Sequence, residues 1–304
     1  MVDSYMQNYE IYCIQTKKYT SKNLLIKDNV LLLHNIITGI KQRNMKVTLL
    51  QTNITWAEPS DNQRNAEEMI SQTQDSDMYI LPEMWSTGFA TQPHGIAEDE
   101  ETSGKSGSLA WMKDMAARKK AAICGSLAIR TCEGQYVNRL FFVFPDGTYR
   151  HYDKRHLFSM GGENTHYTAG DERIIVEYKG VRFLLMICYD LRFPVWSRNS
   201  NDYDAVIYVA NWPTPRLAVW DALLKARALE NQCFAIGVNR TGTDPNCEYS
   251  GGSAIISPYG KVMAECGNET KAATANLCME ELQRFRKKFP VLDDKDNFSI
   301  QKNK

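Results

Sequence analysis

A run of apolar residues, Leu184-Leu185-Met186-Ile187, ends in Cys188 and is followed directly by Tyr189, Asp190, Leu191, Arg192, Phe193 and Pro194. A short apolar run bounded by polar residues reads as a buried strand. It delivers one thiol to a sheet edge, at the start of a turn that Pro194 helps close. A thiol at a strand end is a candidate nucleophile, although an arbitrary cysteine is more often inert packing. Three other stretches set charged groups just after apolar strands. Leu81-Pro82-Glu83 brings a carboxylate, Tyr152-Asp153-Lys154 an ammonium at the end of a hairpin strand, and the glycine-bounded loop from Gly161 to Gly170 a second carboxylate, Glu163. Taken singly, Glu83 reads equally well as a helix cap, Lys154 as a solvated hairpin end and Glu163 as a surface acid. Strand ends converge on one sheet edge in many α/β enzymes, so the joint occurrence of thiol, carboxylates and amine is what carries weight.

The elements that must position these groups alternate along the chain. Lys46 to Gln51 is a first strand, Asp61 to Gln74 helical, and Met78 to Leu81 a second apolar strand. Leu109 to Lys120 is rich in favourable helix formers and precedes a strand from Ala121 to Ile129. Pro145-Asp146-Gly147 is a turn between strands 136–144 and 148–153, and Tyr178-Lys179-Gly180 another between 173–176 and 181–188. Ala205 to Ala210 is a buried strand. Thr214 and Pro215 then read as N-cap and first residue of a helix to about Asn231, with Leu217, Trp220, Leu223, Leu224 and Leu229 as its apolar positions. Strands at 233–239, 253–257, 261–265 and 272–277 and an amphipathic helix from Met279 to Phe289 complete the pattern. Strands mixed with helices throughout predict one α/β domain with helix-covered sheets, spanning 45–304.

Residues 1–44 differ from the rest: a polar, Tyr/Lys-rich start, then a short apolar patch at 29–37. That patch is too short and interrupted to span a bilayer, and too far along for a signal peptide. The segment is expected to be an extension without chemistry, ahead of a start at Met45. The 304 residues are 43% hydrophobic and 24% charged with zero formal net charge, which gives no support for nucleic acid or a membrane as partner. The eight cysteines form no CxxC pair, and the five histidines no zinc-spaced cluster. Reduced thiols in the cytoplasm, no metal and no cofactor are therefore expected.

Leu-Pro-Glu at 81–83, Asp-Lys-Arg at 153–155 and Cys-Tyr-Asp-Leu-Arg-Phe-Pro at 188–194 occur in the order of a known Glu-Lys-Cys set. In these segments, and over about residues 46 to 300, the sequence resembles the nitrilase superfamily of carbon–nitrogen hydrolases. The resemblance implies a four-layer αββα sandwich, homodimers or larger homo-oligomers, and catalysis by Glu83, Lys154 and Cys188, with Glu163 beside the lysine positioning substrate. An amide is a poor electrophile, so its hydrolysis needs a strong nucleophile and a proton for the departing nitrogen. In that scheme Cys188 attacks the carbonyl and Glu83 acts as base and then acid. Lys154 lowers the thiol pKa and, with the Tyr189 backbone N–H, stabilises the oxyanion. A Cys-His pair using His151, His156 or His166 is the weaker alternative.

Tyr208 to Pro213 and Ala226 to Gln232 narrow the resemblance to bacterial omega-amidases, which release ammonia from 2-oxoglutaramate and 2-oxosuccinamate. Such a small-molecule amide carries a remote carboxylate, so a cation is expected in the pocket. Arg192 is the first candidate because its planar fork fits a carboxylate; the competing expectation is a salt bridge from Arg192 to Asp190. Arg216 is the second candidate, with a helix-start surface position the favoured reading, and Asn211 and Trp212 are expected to line the pocket, with core packing an equal reading for Trp212. Another amide or carbamoyl substrate, a nitrile, and a non-catalytic scaffold on the same fold are the remaining readings.

Overall fold

Side chains of the first strands alternate between two faces, as the two-residue period of a β-strand requires. In the computed structural model, which describes residues 44–301, these are β1 (Asn44–Gln51), β2 (Met78–Ile80), β3 (Glu98–Asp99), β4 (Ala122–Arg130), β5 (Tyr136–Val143) and β6 (Tyr149–Asp153). Val47, Leu49, Met78, Ile80, Ala122, Cys124, Leu140 and Phe142 point one way into the largest core cluster. Tyr79, Ile123, Leu127, Phe141 and Val143 point the other way into a second cluster. There they meet Ala66 and Ile70 of helix α1 (Pro59–Ser71) and Met112, Met115 and Ala116 of α3 (Ser108–Lys119). The short α2 (Glu100–Ser106) and α4 (Glu163–His166) lie in connections.

The second half supplies β7 (Ile175–Tyr178), β8 (Val181–Ile187), β9 (Ala205–Val209), β10 (Phe234–Val238), a small β11 (Thr241–Thr243) and β12 (Glu248–Ser250) pair, β13 (Ala254–Ile256), β14 (Val262–Glu265) and β15 (Lys271–Cys278). All of β8 from Phe183 to Ile187 is buried, as a central strand covered on both faces must be. Trp220, Leu224 and Ala228, one stripe of α5 (Leu217–Glu230), and Met279 and Leu282 of α6 (Met279–Lys288) join the same core cluster. One sheet runs β15-β1-β2-β4-β5-β6 with β3 beside β4, and the other β14-β13-β10-β9-β8-β7. The large core lies between them, so the layers are helix, sheet, sheet, helix, the expected αββα sandwich.

Strands β1, β2 and β4 are parallel, as are β8, β9 and β10. Their carboxyl ends are where an open α/β sheet leaves a crevice, and Glu83, Cys188 and Asn211 all follow such ends.

Several expectations shift. Asn44, the last residue of the expected extension, opens β1, and residues 1–43 with the apolar patch at 29–37 lie outside the described residues. Thr214 does not cap α5. It opens a 3₁₀ turn to Arg216, its hydroxyl donates to Glu248 O at 3.0 Å, and α5 starts at Leu217. Leu229 is 46% exposed rather than part of the apolar stripe. No helix among the described residues is long and apolar enough to cross a membrane.

Candidate active site

Glu83 sits just past β2, in the segment Leu81-Pro82-Glu83, and its side chain is fully buried. Behind it Gly125 of β4 has no room for a Cβ, which would lie 2.9 Å from both Leu81 Cβ and Trp85 Cδ1. Close packing of these backbones is thus what fixes the Glu83 loop. Met84, the next residue, is one of seven described non-glycine residues with positive φ, at 42°.

Lys154 follows β6 and is also buried, with its backbone N–H bound to Asn138 O at 2.9 Å. Its ammonium donates to Glu83 Oε1 at 2.9 Å and to Glu163 Oε2 and Oε1 at 2.8 and 3.0 Å. Glu163, the first residue of α4, reaches inward, and its Oε2 also accepts the Phe158 N–H at 2.6 Å. Hence none of the three charges is a cap, a solvated end or a surface acid.

A further residue was missed from sequence. Asn138 of β5 donates Nδ2 to Glu83 Oε1 at 2.8 Å and to Glu163 Oε1 at 3.2 Å, and its Oδ1 accepts the Ser126 hydroxyl at 2.9 Å. The available signal was a polar residue on the inward face of an apolar strand, two before Leu140.

Cys188 begins a 3₁₀ turn, Cys188–Arg192, directly after β8. Its φ is 43°, a left-handed conformation that costs a non-glycine residue roughly 1–3 kcal/mol and marks functional positions. Asp190 sustains it: Oδ2 accepts the Ile187 N–H at 3.0 Å and the Tyr152 hydroxyl at 2.8 Å. The expected Arg192–Asp190 salt bridge is absent, because Asp190 spends both oxygens on donors of its own turn, Tyr152 and His156. Arg192 instead lies over the Trp212 ring, 5.1 Å from its centroid.

Asn211, two residues beyond Val209 at the end of β9, ties the two sheets together. Its backbone N–H donates to Glu83 Oε2 at 2.8 Å and its Nδ2 to Glu83 O at 2.6 Å, while its carbonyl lies 4.0 Å from Cys188 Sγ. Its buried Oδ1 has no hydrogen-bond partner among the described residues. Asn211 also lines the cavity beside Cys188, so its bonds to Glu83 are an additional task.

Electrostatics fix the resting state. Burial penalises the Lys154 ammonium, but Glu163 and Glu83 outweigh it and hold its pKa above the ordinary value. Burial, then the charge of Glu83, pushes the Glu163 carboxyl up against the pull of Lys154. The Cys188 thiol is pushed well above its usual range by burial and by Glu83, with Lys154 opposing. Lys154 therefore lowers the thiol pKa as expected, yet the net shift is upward. The Glu83 carboxyl group beside the thiol is placed to accept its proton as sulfur attacks an electrophile. None of His151, His156 or His166 is hydrogen-bonded to Cys188: His156 is engaged by Asp190, His151 packs near Phe141 and Tyr149, and His166 is exposed.

Cys188 opens into a cavity of about 860 Å³ lined also by Lys154, Tyr189, Arg192, Asn211, Trp212 and Arg216. The sandwich and this buried Glu-Lys-Glu cluster beside a strand-end thiol define a thiol hydrolase class. The chain belongs to the carbon-nitrogen hydrolase family, whose model matches residues 46–287. It is 44% identical over 260 residues to "Omega-amidase YafV" of Escherichia coli (strain K12), covering 84% of this chain and 98% of that one. It is 37% identical to "2-oxoglutaramate amidase" of Bacillus subtilis (strain 168), over 82% and 96% of the two chains. A CN-hydrolase superfamily protein of Xanthomonas campestris, solved with an arsenic adduct in its active site, superposes with a TM-score of 0.80 at 38% identity, over 85% of this chain and 99% of that one.

Proposed function

We propose that this chain is an omega-amidase that hydrolyses the terminal amide of 2-oxoglutaramate or 2-oxosuccinamate. Cys188 is the nucleophile, Glu83 the general base and acid, and Lys154 the cation that stabilises the oxyanion with the Tyr189 N–H. As sulfur bonds to the carbonyl carbon, the thiol proton passes to Glu83 and the carbonyl π electrons move to oxygen. Collapse of that tetrahedral adduct breaks the C–N bond, and Glu83 returns the proton to the leaving ammonia. Water then attacks the thioester, giving its proton to Glu83, and the sulfur leaves and is reprotonated. Glu163 holds Lys154 in place with two hydrogen bonds. The N-terminal N–H groups of a 3₁₀ turn have no acceptor within it, which supports the donor role for Tyr189.

The observation that carries the substrate assignment is Arg192. Its guanidinium reaches the cavity four residues past the thiol, resting on Trp212 with no described ion pair. A substrate carboxylate would complete it, and two relatives bear the names omega-amidase and 2-oxoglutaramate amidase. The test is ammonia release from 2-oxoglutaramate compared with glutamine, carbamoylputrescine and an aliphatic nitrile. Preference for 2-oxoglutaramate, lost in Cys188→Ala and Glu83→Gln, is the expected result. Near wild-type turnover in either variant overturns the mechanism, and preference for another compound overturns the substrate.

We read the enzyme as a cytoplasmic homo-oligomer whose residues 45–304 form the catalytic domain. Seven described cysteines, all unpaired, fit a reducing compartment. Exposed Leu229, Tyr259, Val262 and Phe289 fit a subunit contact. Light scattering on the full chain and on a chain lacking residues 1–44, with activity measured on both, tests these assignments.

A further inference from the structure

The mouth of the Cys188 cavity is ringed by a chain of contacts between aromatic rings and guanidinium groups. Arg192 lies 5.1 Å above Trp212. The indole Nε1 of Trp212 donates to Arg216 O at 2.8 Å. The Arg216 guanidinium sits 5.2 Å above Phe158, and Phe158 meets Tyr189 edge-on at 5.1 Å between centroids. Tyr189 is the neighbour of Cys188 and belongs to the same turn as Arg192, so the contacts close into a collar. Both guanidinium groups line the cavity, and no hydrogen bond or ion pair to either side chain occurs among the described residues. A stacked guanidinium is held in place by a ring face while its N–H fork stays free for an anion.

The remaining charges point the same way. Lys154 is spent on Glu83 and Glu163. Asp244 is the only acid among the described lining residues, and its oxygens are taken by the Tyr249 hydroxyl at 2.5 Å and the Asn246 and Cys247 N–H groups at 2.8 Å. The cavity lining therefore carries two guanidinium groups without an ion pair among the described residues, and one carboxylate whose oxygens are hydrogen-bonded within its own loop.

We infer that Arg216 is a specificity-determining residue that acts with Arg192, making the collar select 2-oxo acid amides and reject the corresponding 2-amino acid amides. This rests on the omega-amidase reading above. A carboxylate flanked by a keto oxygen presents only acceptors to the two forks. Glutamine presents the same carboxylate with an ammonium beside it, which the second guanidinium repels. Specificity built this way combines an attractive contact to the right substrate with a repulsive one to the wrong substrate.

The test compares wild type, Arg216→Gln and Arg216→Lys on 2-oxoglutaramate and glutamine. In parallel, protection of Cys188 from iodoacetamide by 2-oxoglutarate is followed by mass spectrometry of the Cys188 peptide. In Arg216→Gln the ratio of kcat/KM for 2-oxoglutaramate to that for glutamine falls by about 10-fold or more, chiefly through KM, and protection weakens. Arg216→Lys restores much of the ratio. A folded Arg216→Gln protein with the wild-type ratio and wild-type protection overturns the inference. A wild type that does not hydrolyse 2-oxoglutaramate, yet whose protection depends on Arg216, overturns the substrate reading and leaves the anion-selective collar standing.

Discussion

Asp190 Oδ1 accepts from both the backbone N–H and the ring Nδ1 of His156, at 3.0 and 2.7 Å. His156 lies two residues beyond Lys154 and Asp190 two beyond Cys188, so this pair fastens the amine's strand end to the thiol's turn. The imidazole is further stacked on Phe193, with centroids 3.8 Å apart and planes 6° from parallel. Asp190→Ala removes the acceptor for Tyr152, Ile187 and His156 at once and leaves buried donors unsatisfied. The expected cost is about 3–5 kcal/mol of stability, with a loss of turnover that Asp190→Asn, which keeps one oxygen, partly restores. A wild-type melting curve for Asp190→Ala would contradict this account.

Removing Lys154 strands two buried carboxylates. Lys154→Met is expected to lose roughly 3–5 kcal/mol of stability and at least ~10²-fold in kcat. Glu163→Gln leaves the bond to Glu83 in place and costs less in both. Chemical denaturation and steady-state kinetics on the two variants check the order. Equal effects would mean that Glu163, not Lys154, dominates the cluster.

Gly125→Ala probes the packing behind the base. Its Cβ would press on Leu81 and Trp85, which flank Glu83. Overpacking of this kind costs about 1–3 kcal/mol, and kcat should fall along with stability because the Glu83 loop must shift. An active Gly125→Ala enzyme with lowered stability would show that the loop tolerates the shift.

Alkaline pH should unfold the protein progressively. Burial pushes the Cys233 thiol up to about 12, and Cys188 is also raised well above its usual value. Unfolded thiols ionise near ~8.5, so this contribution is complete below that pH. Above it the unfolded chain releases protons that the folded chain retains. Each thiol then costs up to about 1.4 kcal/mol per pH unit until its folded pKa is reached. Lys154 extends the trend, because its raised pKa adds stability below about 10.4 that is lost as pH rises through the folded value. Melting temperature measured from pH 8 to 11 should fall, and more gently in Cys188→Ala. A flat profile, or identical slopes, would refute the coupling.

Much of this arrangement is legible in the sequence because chemistry interrupts periodicity. Glu83 and Cys188 follow apolar runs, where neither a core nor a surface rule calls for that residue, and Lys154 follows a hairpin strand marked by the turn before it. The strands were recognisable for the same reason, being continuous apolar stretches with turn residues between them. Asn138 and Ser126 were not, since a buried polar residue within a strand shows its purpose only once its partner is known. Asp190 misled because its neighbour Arg192 is close in sequence, whereas its actual partner His156 is 34 residues away. Strands β3, β11 and β12 are too short for any period to show.

Glu83 and Lys154 come from one sheet, Cys188 and Asn211 from the other, and Asn211 bonds to Glu83 across 128 residues. Neither half of the chain thus owns a working centre. A nascent or partly folded molecule with one sheet formed carries an isolated carboxylate and amine, or an isolated thiol, and is chemically idle. Hydrolytic competence consequently arises only when the two sheets close on each other, which makes amide turnover a reporter of sheet-to-sheet packing rather than of secondary structure.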